Sequence, residues 1–242
     1  MTDKADKADT RISREQGRRY WEGVEATVNG MLGGLPQLSR VDLRGSHNFL
    51  AKLGIGSKPG LRVAARALEG GAGIGRVTRG LLLDGIATEV DVIEPIAKFT
   101  AALQDTPGVG RIFNMGLEDW EPPTEEDKDE GAEPRKRYYD LIWIQWCAGH
   151  LTDEQLVGFL RRCKEALNPE VDGLIVLKEN NSTTDGDEYD DVDSSVTRHD
   201  STFRRIFEEA GLNLVRVELQ KGFGALAKNL LPVRMYALKP AV

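Results

Sequence analysis

The chain has 242 residues, of which 40% are hydrophobic and 29% charged, enough for one large α/β domain with a small extension. Its net charge of −7 argues against a polyanion partner, whose binding needs a basic, counterion-releasing surface, but suits an enzyme that attracts basic substrates. No run of about 18 apolar residues could span a membrane, and Cys147 and Cys163 have neither disulfide-framework nor metal-ligand spacing.

The charge-alternating start, M-T-D-K-A-D-K-A-D-T, has no apolar signal core and reads as a disordered tail over residues 1–11. The expected setting is reducing, cytosolic or also nuclear, for a monomer with no metal, no nucleic acid and no membrane partner. Residues 12–26 carry helical spacing, with Tyr20 and Trp21 near the end. T-V-N-G-M-L-G-G-L then breaks the pattern with turn-forming glycines, and a second helix is expected over residues 46–53. K-P-G, residues 58–60, closes this portion, so residues 12–58 read as a helical lid ahead of a main domain over 59–242.

From Arg62 onward the elements alternate. R-V-A-A-R-A-L-E is an apolar run leading into a glycine loop; residues 77–83 read as helix and T-E-V-D-V-I-E as strand. P-I-A-K-F-T-A-A-L reads as a helix with Pro95 in its first turn, followed by the short strand R-I-F-N-M-G. The acidic-basic segment 121–137 cannot bury anything and reads as a flexible loop. Y-Y-D-L-I-W-I-Q-W is a strong strand, and D-E-Q-L-V-G-F-L-R-R-C-K-E-A-L an amphipathic helix capped by Thr152 or Asp153. G-L-I-V-L-K-E is a strand, followed by a polar loop, a helix ending at Gly211, and two final strands. This alternation predicts an α/β fold with a mainly parallel sheet, helices on both faces and an antiparallel edge hairpin.

The first strand ends in E-G-G-A-G-I-G-R, residues 69–76, where glycine allows positive φ and close approach of a ligand to the backbone. A dinucleotide loop is disfavoured because the residue three after Gly73 is Arg76 rather than glycine, and a Walker loop because G-K-[ST] is missing. Acid-x-Gly-x-Gly-x-Gly resembles motif I of the S-adenosylmethionine-dependent methyltransferases with the Rossmann-like fold. Glu94 ends the next strand, where a carboxylate can accept both ribose hydroxyls. Leu117 and Glu118, in M-G-L-E-D-W after the third strand, belong beside the adenine.

The fourth strand ends on W-I-Q-W-C-A-G-H-L-T-D, polar and aromatic side chains placed where an open parallel sheet binds its ligands. This block resembles the signature of the protein α-N-terminal methyltransferases, which act on the N-terminal amine of proteins beginning Xaa-Pro-Lys or Xaa-Pro-Arg. Y-W-E, T-V-N-G-M-L-G-G, G-A-G-I-G-R, F-L-R-R-C-K and D-D-V-D-S-S-V-T-R match in order along nearly the whole chain. The resemblance implies a seven-stranded class I methyltransferase fold and S-adenosylmethionine as cofactor. It implies that Glu69, Gly71, Gly73, Arg76, Glu94, Leu117, Glu118 and Gln145 hold the cofactor, Arg76 through its carboxylate. Trp21 and Trp146 would frame the first substrate residues, and Asn180 would bind the peptide backbone. Asp190, Asp193 and Ser195 lie in the substrate-binding block, the two aspartates receiving the basic third residue and the amine, while Asp193 and His150 would be catalytic.

Those residue types suit amine methylation. A free α-amine has a pKa of about 7.7–8.0, so roughly a tenth to a fifth is neutral at pH 7 and only a modest base is needed. Alignment of nitrogen, methyl carbon and sulfur is the larger contribution, and proline at position two restricts the peptide. The chain departs from the family in having Glu69-Gly70-Gly71 for Asp-Cys-Gly, Asn29 for an aspartate, K-E-N for K-D-N, and a longer loop at 121–137. Outside its motif His150 would read as an ordinary interfacial histidine and 187–193 as a solvated acidic loop; Trp143 reads as core and Cys147 as inert. The alternatives are a methyltransferase acting on a lysine side chain or small amine, and a catalytically weak N-terminal peptide binder.

Overall fold

The computed structural model describes residues 7–123 and 138–241. The expected tail at 1–6 and most of the expected loop at 121–137 lie outside the described residues. Three N-terminal helices come first: α1 (Arg14–Gly23), the single turn α2 (Val28–Met31) and α3 (Leu38–Ala51). Then follow β1 (Ala64–Gly70), a wide-turned helical segment at Thr78–Ile86, β2 (Ala87–Ile93), α4 (Ala97–Thr100) and β3 (Val109–Phe113). The chain continues through β4 (Leu141–Gln145), α5 (Asp153–Glu165), β5 (Leu174–Asn180) and the small hairpin β6 (Glu188–Asp190) and β7 (Ser195–Thr197). It ends with α6 (Asp200–Glu209), β8 (Leu212–Leu219) and β9 (Val233–Pro240).

The main sheet has seven strands in the order β3-β2-β1-β4-β5-β9-β8. All pairings from β3 to β5 are parallel, and β9 is antiparallel to both β5 and β8. Strand alternation divides the core into two layers. Ile142 and Ile144 of β4 join Phe159 of α5 and Phe203 of α6 on one face. Leu141 and Trp143 face the other way, packing with Phe49 and Leu50 of α3 and Leu81 and Leu82. Each such large side chain removed from water stabilises the fold by about 1.5–3 kcal/mol. The strand order reverses between β1 and β4, so their carboxyl ends open a crevice at a switch point.

Several local expectations need correcting. The tail is not free throughout: residues Ala8–Arg11 form a 3-10 turn, and buried Asp9 accepts the Asp153 N–H at 2.9 Å, so the N-terminus caps α5 from outside. The first helix is shorter than residues 12–26 because Ser13 caps it, accepting the Gln16 N–H. The helix expected at 46–53 begins at Leu38. Gly45, which reads as a break, lets α3 approach β8, since a Cβ there would lie 2.2 Å from Gln220 Oε1. Pro95 precedes α4 rather than opening it, because Glu94 accepts the Ile96 N–H at 2.9 Å and keeps the chain extended there. The polar loop after β5 contains the β6–β7 hairpin, in which Asp190 faces Ser195. Thr152, not Asp153, caps α5, in a reciprocal capping box with Gln155.

Candidate active site

The cleft at the switch point encloses about 1080 Å³, counting its open mouth, and is walled by the glycine loop, the carboxyl ends of β2 and β4, and α1. Gly71 and Gly73 adopt φ of 70° and 53°, the left-handed region that favours glycine. A Cβ at Gly71 would sit 2.5 Å from the Cys147 Cβ, and one at Gly73 would sit 2.8 Å from the Met31 Sδ, so the loop leaves no room for side chains. Glu94 closes the loop from β2: one oxygen accepts the Gly73 N–H at 2.8 Å and the other the Ile96 N–H at 2.9 Å. Each oxygen keeps a second lone pair free to accept, and Glu94 lines the cleft. Burial pushes the Glu94 pKa up, against these two bonds. Glu69 accepts the Thr78 hydroxyl proton at 2.5 Å, and burial pushes its pKa up to about 8.

Leu117 and Glu118 line the far wall, their carbonyls held by the Arg162 guanidinium at 3.2 and 3.0 Å. The Glu118 carboxylate pairs with Arg14 Nε of α1 at 2.8 Å. Arg76 and Gln145 line the wall beneath α3, and both are bonded to Asp42, which sequence reading does not single out. The Gln145 oxygen accepts from Trp143 Nε1 at 3.0 Å, so its amide is held at both ends. Trp143 is core, as expected, and also a hydrogen-bond donor.

The turn after β4 carries the remaining candidates. Trp146 sits at φ 54°, an uncommon conformation for a bulky residue, with the Arg76 guanidinium 5.5 Å from its ring. Two side chains hold the turn. Glu179 accepts the Cys147 and Ala148 N–H groups at 2.8 and 2.9 Å, with burial pushing its pKa up to about 7. The wholly buried Arg198 donates to the Ala148 carbonyl at 2.9 Å and the Leu151 carbonyl at 2.5 Å, and to Asp153 at 2.9 Å. Burial pushes the Cys147 thiol pKa up, and its Sγ donates to the Gly70 carbonyl at 3.2 Å.

The Trp21 indole N–H donates to His150 Nε2 at 2.9 Å. An indole nitrogen only donates, so His150 Nε2 accepts and the ring is neutral with its proton on Nδ1. Burial lowers the His150 pKa, and the neighbouring Asp193 charge opposes this. Asp193 Oδ2 lies 3.9 Å from the same nitrogen. The other Asp193 oxygen, Oδ1, is buried without a hydrogen-bond partner among the described residues, as is Trp146 Nε1. Buried polar atoms are rarely left unpaired in a folded protein, so one acceptor and one donor here suit a polar ligand. Ser194, at φ 57°, fixes Asp193 by accepting the Ser13 N–H of the α1 cap at 2.8 Å.

Glu69, Gly71, Gly73, Arg76, Glu94, Leu117, Glu118, Gln145, Trp21, Trp146 and His150 therefore share one cleft. Asp193 adjoins it through His150. Asn180, Asp190 and Ser195 are not part of its wall: Asn180 ends β5 one strand away, and the other two stand on the β6–β7 hairpin, with Asp190 exposed. Sequence reading missed Asp42, Gly17, Arg14, Glu179, Arg198 and Ser194. Glu179, Ser194 and Arg198 lie within recognised motifs, whereas Gly17 and Asp42 carry no pattern of their own. Among the described residues no acidic, histidine or cysteine cluster could hold a metal, and no helix is long and apolar enough to cross a membrane.

Comparison with known proteins gives consistent matches. Residues 9–239 match the family model described as AdoMet dependent proline di-methyltransferase. Alpha N-terminal protein methyltransferase 1 of Schizosaccharomyces pombe is 43% identical over 91% of this chain and 93% of its own length. N-terminal Xaa-Pro-Lys N-methyltransferase 1 of Xenopus tropicalis is 40% identical over 86% of this chain and 88% of its own. A solved S-adenosylmethionine-dependent methyltransferase of Leishmania major superposes with a TM-score of 0.77 at 36% identity, covering 93% of this chain and 82% of that one.

Proposed function

The chain belongs to the AdoMet-dependent proline dimethyltransferase family, and from that premise we propose how its residues divide the work. It is an S-adenosylmethionine-dependent enzyme that methylates the N-terminal α-amine of proteins beginning Xaa-Pro-Lys. The cofactor supplies an electrophilic methyl group on a sulfonium. The residues present fit it: a glycine cradle that any Cβ would fill, a two-oxygen carboxylate at Glu94 already oriented by backbone N–H groups, and a guanidinium at Arg76. Glu94 holds the ribose hydroxyls, Arg76 the carboxylate, and Leu117 with Glu118 the adenine side. Glu69 and Gln145 shape the loop and strand end beneath.

Trp21 and Trp146 frame the first residues of the peptide, and the unpaired Trp146 Nε1 offers a donor to a peptide carbonyl. Asn180, Asp190 and Ser195 lie farther out, where the rest of the peptide passes; the exposed Asp190 carboxylate meets a basic third residue, lysine or arginine. Asp193 Oδ1 receives the amine proton. His150 assists from its place beside Asp193, but taking a proton on Nε2 requires it to release the Trp21 N–H. Of the two catalytic candidates, the carboxylate therefore leads and the imidazole supports.

The observation that carries this reading is the buried, unpartnered Asp193 oxygen beside His150, which lines the cleft. Asp193→Asn keeps the shape and removes the acceptor charge. It is expected to lower kcat on a Ser-Pro-Lys peptide by about 100-fold, within the range of general-base loss, with cofactor affinity unchanged by calorimetry. Wild-type kcat in this variant would remove Asp193 from the chemistry.

A further inference from the structure

One polar network crosses the apolar layer beneath the cleft, and its buried members Asp42 and Lys178 have no part in the steps above. Strand alternation sends Trp143 and Val176 toward α3, and two residues later sends Gln145 and Lys178 the same way. They meet Asp42, wholly buried on α3. Lys178 Nζ lies 2.5 Å from Asp42 Oδ1, Gln145 Nε2 donates to both carboxylate oxygens at 3.0 Å, and Arg76 Nη1 donates to Oδ2 at 2.7 Å. Lys178 also donates to Ser46 Oγ and Gln220 Oε1, each at 2.9 Å.

We propose that Asp42 is a positioning residue for cofactor binding: from α3 it fixes the Arg76 guanidinium and the Gln145 amide at the cleft wall, with Lys178 balancing its charge. The inference rests on reading the cleft as the S-adenosylmethionine site. Three features support it. A planar guanidinium has donors on more than one edge, so bonding Asp42 through Nη1 leaves another edge for a second carboxylate. One carboxylate against two cations leaves a surplus positive charge at the wall, matching the anionic end of the cofactor's amino-acid portion. A buried ion pair seldom stabilises a fold more than apolar side chains of the same size would, so a network spanning α3, the glycine-loop helix, β4 and β5 is better suited to geometry than to stability.

The test is calorimetric binding of S-adenosylhomocysteine to wild type, to Arg76→Ala, to Asp42→Asn and Asp42→Asn/Lys178→Met, and to the last pair in the Arg76→Ala background. The double variant removes the buried pair together and leaves no lone charge; Asp42→Asn is the milder companion, with an amide of the same size. Each is expected to weaken binding about 10- to 100-fold, what one charge-assisted hydrogen bond is worth, with peptide affinity unchanged. Adding these changes to Arg76→Ala should cost much less than in wild type, because most of their effect runs through Arg76 and only the share through Gln145 remains. Wild-type affinity in the Asp42 variants, or an equal loss in both Arg76 backgrounds, overturns the positioning role. Failure of wild type to bind, or undiminished binding by Arg76→Ala, instead overturns the cofactor-site reading beneath it.

Discussion

Gly17 shows how closely α1 is fitted to the reacting groups. It is buried in the first half of the helix, and a Cβ there would lie 3.2 Å from the Asp193 carbonyl oxygen and 3.3 Å from His150 Nδ1. Both contacts are tighter than an ordinary van der Waals approach, so Gly17→Ala must push α1, His150 or Asp193 aside by a few tenths of an ångström. Alanine gains about 1 kcal/mol over glycine in a helix interior, and steric displacement of a well-packed group costs a similar amount, about 1–3 kcal/mol. The net is a loss of about 0–2 kcal/mol, so the melting temperature should fall by no more than about 8 °C, since 1 kcal/mol moves a domain of this size by about 2–4 °C. Catalysis has no such offset: because a 1 Å misplacement can cost about 100-fold, a shift of a few tenths should lower kcat/KM for a Ser-Pro-Lys peptide about tenfold. S-adenosylhomocysteine affinity, measured by calorimetry, should not move, since the glycine loop lies on the opposite wall. An undiminished kcat/KM would refute the close fit of α1 to the catalytic pair, and so would a fall explained entirely by unfolding.

Two more outcomes follow from the buried carboxylates. Glu94→Gln turns an acceptor for Gly73 or Ile96 into a donor facing a donor, and should weaken S-adenosylmethionine binding about 10- to 100-fold while sparing peptide affinity; equal affinity in a calorimetric titration would show that Glu94 does not hold the ribose. Burial raises the Glu69 pKa from 4.5 to about 8 and the Glu179 pKa from 4.5 to about 7, so the folded protein binds more protons than the unfolded chain between those limits. Their contribution to stability is full below about pH 4.5 and is lost as pH rises through about 7 and 8. Denaturant unfolding should therefore show stability falling from pH 5 to 8, and Glu69→Gln should flatten that slope; an unchanged slope in the variant would show that Glu69 does not titrate in this window.

The parts legible in the sequence are those with a local period or a fixed spacing. L-I-W-I-Q-W has no polar interruption until its end, so its burial on both faces could be read; that Gln145 at its tip is buried too could not, because its partner Asp42 comes from α3. Glu69, the glycine loop and Glu94 follow from the strand–loop–helix spacing of one βαβ unit, and the structure brings them together around backbone N–H groups. The start of α3 was hidden because Gly45 interrupts its helical pattern, and the reason for a glycine there is the side chain of Gln220, just past β8 and far along the chain. Asp42 was invisible for the same reason: a lone acid in a polar stretch gains significance only from Arg76, Gln145 and Lys178, which tertiary folding delivers. The β6–β7 hairpin has only three residues in each strand and is largely polar, too short for alternation to register. His150 was found, but its tautomer was not, because the Trp21 donor comes from a helix at the other end of the chain.

The most direct test of the central claim is mass-spectrometric methyl transfer from S-adenosylmethionine to three matched peptides: one beginning Ser-Pro-Lys, the same peptide acetylated at its N-terminus, and one with glutamine replacing the third-position lysine. Methylation at the α-amine of the first, its absence from the acetylated peptide and a large loss with glutamine are the expected results. Equal methylation of the acetylated peptide would place the methyl group on the lysine side chain and contradict the account.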